Sequence, residues 1–396
     1  MSTLLANEDE LYFERGGVVQ GFTRKVFLRL GVTFSVRGRI IGFLLITWFP
    51  LLIFSMLEGR ALGPTPRESF LLDFSTYLRF FLGVPLLLIA ELVVGPRLRE
   101  TGLQFLRGGF VRDEDLPAFE HAIDRVKRLR ESVWAEMIIL GTAMAGAWYF
   151  TSELLAQQSV ATWRTPNASG SGIGLSLTAF WFRLISVPIL QFLWYRWLWR
   201  MFIWARFLWS VSRMELDLVG THPDAAGGLG FLGTAHMSLG IFCFGLSAVL
   251  SGEAAFLIVF EHVDIETLKF PFAVLIAFSE FIVFGPLLIF IPILTRTRLA
   301  WLREYSKLSD RYNRAFHEKW VQGNAATDEA LLGSADIQSL ADLGTSFEYI
   351  RGMRVYPFNL RVMIHLAVIT SLPCLPLLLL VMPVGRILEL LSKAIL

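Results

Sequence analysis

The chain has 396 residues, 54% of them apolar and 14% aromatic, and its 36 lysines and arginines nearly balance 34 aspartates and glutamates. A mean hydropathy of +0.56 excludes an ordinary soluble globular domain and points to a polytopic membrane protein. The two cysteines, Cys243 and Cys374, both lie inside apolar runs, so no disulfide framework is expected.

Read from its start, residues 1–39 form a charged segment without the apolar core of a cleavable signal peptide, and the first span has to act as its own insertion signal. Seven segments are long and apolar enough to cross a bilayer, near 40–58, 74–95, 134–152, 176–199, 234–258, 270–294 and 362–385. The expected fold class is all-α, a polytopic helical membrane protein with long helical extensions. Residues 40–295 hold the first six spans, with extensions at 97–133 and 200–233. Residues 296–361 form a helical segment, and 362–396 hold the seventh span and a short tail. The third span carries GTAMAGAWYF and the fifth carries Gly240, Gly245, Ser247, Ala248, Ser251 and Gly252, small residues that let neighbouring helices approach closely.

The fourth span runs without a break into YRWLWRMFIWARFLWSVSRMELDLV. One helix from Ser176 to Leu216 would be roughly 60 Å long, about twice the hydrocarbon thickness. Its crowded Trp and Arg residues suit the place where a helix leaves hydrocarbon, since indole favours the headgroup layer and guanidinium reaches water or phosphate. The charged stretch DLPAFEHAIDRVKRLRESVW is expected to lead directly into the third span. Beyond the sixth span, Trp301, Tyr305, Leu308, Tyr312, Phe316 and Trp320 recur at steps of three and four, which makes one helical face. The third, fourth and sixth spans are thus expected to project past the bilayer on one side and pack together there.

Lysine and arginine decide which side that is. They crowd the N-terminal segment and the second, fourth and sixth connections, whereas the opposite loops carry only Arg60, Arg67, Arg164 and Lys269. The asymmetry predicts a cytoplasmic N-terminus, an external C-terminus and contact with anionic lipid at the cytoplasmic face. Topology and lipid account for these basic residues, so no nucleic-acid partner is expected; assembly as a homo-oligomer is.

Two segments, THPDAAGGLGFLG (221–233) and SADIQSLADLGTSFEYIRGMRVYPF (334–358), resemble an uncharacterised family of bacterial multi-pass membrane proteins. The resemblance implies a bacterial inner-membrane location and carries over no catalytic residue and no substrate.

Ionisable groups inside spans are costly and mark candidate sites. Toward the external side lie Arg79, Arg183 and Glu280; toward the cytoplasmic side lie Glu91, Glu136, His236 and His365, with Gln191 near mid-depth. As a polar route, Glu280 would compensate one or both outer arginines. As a static device, Arg183 and Glu280 would form a buried pair that sets helix register. Glu136 and His236, near span ends, are expected to be solvated at the interface. Pro188, Pro286, Pro292, Pro373 and Pro376 interrupt three spans, either as packing kinks or as site walls. The seventh span, with Thr370 and Ser371, is the first choice for a wall.

The turn THPDAAGGLGFLG matches G-x-G-x-x-G at Gly228, Gly230 and Gly233, but no strand precedes it and a dinucleotide site is rejected. Its backbone N–H groups offer an anion site, with His222 and Asp224 adding a base or ligand. The alternative is a tight re-entry turn capped by Asp224, which needs no ligand. Glu253, Glu261, His262, Asp264 and Glu266 read as a solvated acidic cluster on the outside. No catalytic Ser or Cys motif, Walker loop or HExxH is present, so no cofactor, metal or catalytic residue is assigned.

Three functions fit these residues. The first is a channel or transporter for an ion or small solute, with Arg79, Glu91, Arg183, Glu280 and His365 along its route. The second is an intramembrane enzyme acting on a lipid-linked or phosphorylated substrate, with His222, Asp224, Gly228 and Gly230 at its centre. The third is a sensor or scaffold that docks a partner through the face from Trp301 to Trp320.

Overall fold

Apolar runs punctuated by proline set the helices of this chain. The computed structural model describes residues 21, 35–157, 163–164, 176–323 and 333–381. Most of the 1–39 segment, the Asn167 connection, the break at 324–332 and the tail from 382 lie outside the described residues.

Helix α1, Val36–Leu57, starts at Ser35, whose side chain caps Gly38. Pro50 has no N–H to give the carbonyl of Ile46, and the helix bends at Trp48. A neighbouring helix makes good the loss: Trp181 Nε1 donates to Ile46 O at 3.0 Å and Ser186 Oγ to Thr47 O at 2.7 Å. Helices α2 (Phe74–Arg107) and α5 (Leu177–Val211) meet the same problem differently. Each widens into a π-helical stretch just before its proline, Leu78–Gly83 before Pro85 and Phe182–Ser186 before Pro188. There the backbone N–H reaches five residues back, from Val84 to Arg79 and from Val187 to Phe182. Arg79 and Arg183 both sit in these widened turns.

Between them come α3 (Leu116–Arg130) and α4 (Val133–Gln157). Helix α6 is Phe231–Glu261, α7 is Ile265–Val321, α8 is Ala335–Arg351 and α9 is Leu360–Leu380. At Pro286 and Pro373 the chain tightens into 3-10 turns, Gly285–Phe290 and Leu372–Cys374. Among the described residues α1, α2, α5, α6, α7 and α9 are long and apolar enough to cross a membrane. The predicted third span lies in α4, an unbroken helix of 25 residues.

Helix α6 packs against α2, α7 and α9, while α5 packs against α1, α3 and α4. One end of the bundle is held by a ring of phenylalanines. Phe105 of α2 lies 6.5 Å from Phe207 of α5, 5.4 Å from Phe231 of α6 and 6.3 Å from Phe290 of α7. Phe119 of α3 meets Phe207 edge-on at 5.5 Å. Such pairs contribute about 1 kcal/mol each beyond their buried area. This end also carries α3, α8 and the connections rich in Lys and Arg, and is called the basic end below; the other is the far end.

Two expectations change. The charged stretch before the third span does not run straight into it: the helix breaks at Glu131 and Ser132, and Ser132 Oγ accepts the Ala135 N–H at 3.3 Å to start α4. The break lets α3 fold back on α5 and bury Phe119, Ala122, Ile123 and Val126. The aromatic face from Trp301 to Trp320 is also occupied within the chain. Helix α8 packs on it, Tyr312 Oη donates to Asp336 O at 3.0 Å, and Lys319 Nζ (2.8 Å) and Trp320 Nε1 (2.9 Å) donate to the Asp336 carboxylate. Trp301 lies against Gly220, where an added Cβ would come within 2.6 Å of the ring.

Candidate functional site

Charges enter this bundle in three places, and each is treated differently. At the far end, Asp73 caps the start of α2. Its carboxylate accepts from the N–H groups of Ser75 (3.1 Å) and Thr76 (3.3 Å), both hydroxyls (2.8 and 2.9 Å), Trp163 Nε1 (3.0 Å) and Arg164 Nη2 (2.5 Å). Burial alone would raise this carboxyl, but Arg164 and the hydrogen bonds outweigh it and hold Asp73 well below the usual carboxylate range. Arg164, whose burial would lower it, is raised by Asp73 and Glu253. Glu253 of α6 joins both arginines, Arg79 at 2.8 Å and Arg164 at 3.3 Å. Two arginines and two carboxylates thus close the far end without net charge.

This clasp corrects two readings. Arg79 pairs with Glu253 and not with Glu280, because α2 packs against α6. Glu253 is no solvated loop acid either, since α6 continues to Glu261 and holds it inside. Arg183 makes no ion pair with Glu280 among the described residues, and its Nε is buried without a hydrogen bond.

Nearer the basic end Glu91 is 8% exposed and lies between Arg39 of α1 (2.6 Å) and Arg200 of α5 (2.8 Å). Arg196 and Glu136 are also 8% exposed, so Glu136 is buried and not solvated at the interface. His236 is buried too: Trp204 Nε1 donates to its Nε2 at 2.7 Å, and its Nδ1 lies 2.6 Å from the Val283 carbonyl. An imidazole that accepts on one nitrogen and donates on the other is neutral, and it ties α5, α6 and α7 together. The sequence could not show this, because the indole comes from 32 residues away.

The third place is the seam between α6, α7 and α9. Cys243, Ser247 and Ser251 recur every four residues along α6 and share one face. Ser247 and Ser251 lie 3.4 and 3.3 Å from Cys374 Sγ of α9. Ser279 and Glu280 of α7 neighbour the Cys243 thiol. Both carboxyl oxygens of Glu280 are buried with no hydrogen-bond partner among the described residues, as are Ser279 Oγ and Thr370 Oγ1. Unsatisfied buried groups are rare and mark a missing water, ion or proton. His365 does not join them; it sits on the exposed side of α9.

The glycine-rich turn is complete without a ligand. Asp224 itself fills the nest, accepting from the N–H groups of Ala226 (2.8 Å), Gly228 (3.1 Å) and Gly230 (2.7 Å), with His222 Nδ1 2.8 Å away. These bonds outweigh burial and lower the Asp224 carboxyl. Gly228 has φ +98° and lies under Phe110, where a Cβ would come within 2.5 Å of the ring. The anion-site reading of Gly228 and Gly230 is therefore corrected: the donors a phosphate would need are taken. The turn also meets the second segment of the resemblance. Arg354 donates from its side chain to Asp224 O and from its backbone to Ala225 O, both at 2.7 Å, and Gly233 N donates to Pro357 O at 3.2 Å. Residues 221–233 and 353–358 are one structural unit.

No protein-family model, curated protein or solved structure matches the chain.

Proposed function

We propose that this multi-pass membrane protein is a channel or carrier that passes a proton or small cation along the seam of α6, α7 and α9, with Glu280 as the group that takes the charge. The observation that carries this reading is the Glu280 carboxyl, both oxygens buried and without a hydrogen-bond partner among the described residues. An isolated carboxylate away from water costs several kcal/mol or more, so the group calls for a proton or a cation. The Cys243 thiol and the Ser279 hydroxyl lie beside it as soft and neutral ligands, and Ser247, Ser251 and Cys374 continue the polar line along the same face of α6. The 3-10 breaks at Gly285–Phe290 and Leu372–Cys374 interrupt α7 and α9 beside this seam, which suits a site wall. The basic end faces the cytoplasm on this reading.

The other two functions lose the feature that motivated them. Asp224 occupies the nest an enzyme would offer a phosphate, and α8 covers the face a scaffold would offer a partner. The test is ion flux into liposomes holding the full chain, followed with a proton-sensitive and a cation-sensitive dye under an imposed potential. Glu280→Gln is expected to cut flux at least tenfold while the protein melts as the wild type does. Flux that survives the substitution overturns the reading.

A further inference from the structure

A groove of about 790 Å³ opens at the basic end, between the end of α5 and the proline-broken part of α7. Its two sides differ in chemistry. One side is apolar: Leu288 (44% exposed), Ile289, Pro292 and Ile293 of α7. The other is cationic, with Arg213 after α5, Arg296 of α7 and Arg112 from the α2–α3 connection. The backbone fixes this arrangement. Val111 and Leu216 form an antiparallel bridge and Asp217 N donates to Phe110 O at 2.9 Å, which draws the Arg112 and Arg213 segments together. The 3-10 stretch Gly285–Phe290 turns Leu288 out beside them.

Arg112 is bridged to Glu215 at 2.8 Å. Arg213 and Arg296 are exposed and make no ion pair among the described residues. Trp209, 38% exposed, stands at the rim with Arg206 4.4 Å and Arg213 5.1 Å from its ring. The apolar run of α7 ends at Leu294, so Leu288 and Ile293 lie on its hydrocarbon side and Arg296 follows at headgroup level. Three arginines against one glutamate leave the groove with two positive charges in excess.

We infer that this groove binds an anionic glycerophospholipid, its phosphate between Arg213 and Arg296 and one acyl chain along Leu288 and Ile293. Guanidinium forks match phosphate oxygens, and the indole at the rim suits the glycerol layer. A zwitterionic lipid would bring its own cation against the arginines, and a free anion would leave the apolar wall in water. This inference does not depend on the transport reading: it shares the 3-10 stretch Gly285–Phe290 with it but none of the groups proposed to take the charge.

Native mass spectrometry of the full-length protein in detergent, doped with phosphatidylglycerol, phosphatidylcholine or inorganic phosphate, tests it. Phosphatidylglycerol is expected to be retained at least tenfold over phosphatidylcholine. The double variant Arg213→Ala/Arg296→Ala is expected to lose at least tenfold of that retention, and Arg213→Lys/Arg296→Lys to regain part of it. Leu288→Asp, altering only the exposed apolar wall, is expected to lose a similar factor with both arginines in place. Equal retention of phosphatidylcholine, displacement of the lipid by inorganic phosphate, or unchanged retention in the double variant would each overturn the assignment.

Discussion

Asp73 and Glu280 are both carboxyl groups withdrawn from water, and the protein treats them in opposite ways. Asp73 accepts six hydrogen bonds, one of them from an arginine; Glu280 accepts none among the described residues. A buried charge with every lone pair engaged locks geometry, since moving any partner exposes the rest. A buried carboxyl with nothing engaged stabilises no fold and persists where something else has to visit it. The far-end clasp is therefore read as structure and the seam as function. The cluster around Glu91 belongs with the clasp, because Arg39 and Arg200 hold that carboxylate from two helices.

If the division is right, damage to the two kinds of site should separate stability from activity. The largest loss of stability is expected for Asp73→Ala, about 3–5 kcal/mol, because Arg164 loses its strongest partner and α2 its cap; thermal unfolding in detergent measures it. Glu91→Gln should come next, at about 2–3 kcal/mol, as Arg39 and Arg200 lose the charge between them. Asp224→Ala should cost about 1–3 kcal/mol by leaving the N–H groups of Ala226, Gly228 and Gly230 unmet, and proteolysis near residue 225 would report the loosened turn. Acid provides a gentler probe of the same groups. Asp73 and Asp224 are both lowered from an ordinary value of 3.8, so their contribution is fully present above that pH and is lost as pH falls below it. Melting temperature should drop below about pH 4 in the wild type and drop less steeply in Asp73→Asn.

Much of the frame was legible in the sequence. Apolar run lengths placed the helices. Of the five prolines expected to interrupt spans, Pro286 and Pro373 lie in 3-10 turns, while Pro188, Pro292 and Pro376 lie in α-helix two residues past a π or 3-10 turn, where the missing N–H is accommodated. The partners of the charges were not legible. Pairing Arg79 with Glu253 requires knowing that α2 lies against α6, which no periodicity within either helix reveals. Asp73 did leave a signal, an acid two and three residues before Ser75 and Thr76 at the start of an apolar run, which is the pattern of an N-cap. Trp163 and Arg164 left none, since they come from a connection that local composition marks only as polar. The self-filling turn was readable as one of two options, and the choice depended on where one carboxylate points.

Measuring flux and melting side by side on Glu280→Gln and Asp73→Ala tests the account most directly. Glu280→Gln should melt with the wild type and conduct at least tenfold less, whereas Asp73→Ala should melt well below the wild type yet conduct at a temperature where it remains folded. A Glu280→Gln protein that conducts normally, or one that melts as early as Asp73→Ala, would contradict the division between clasp and seam.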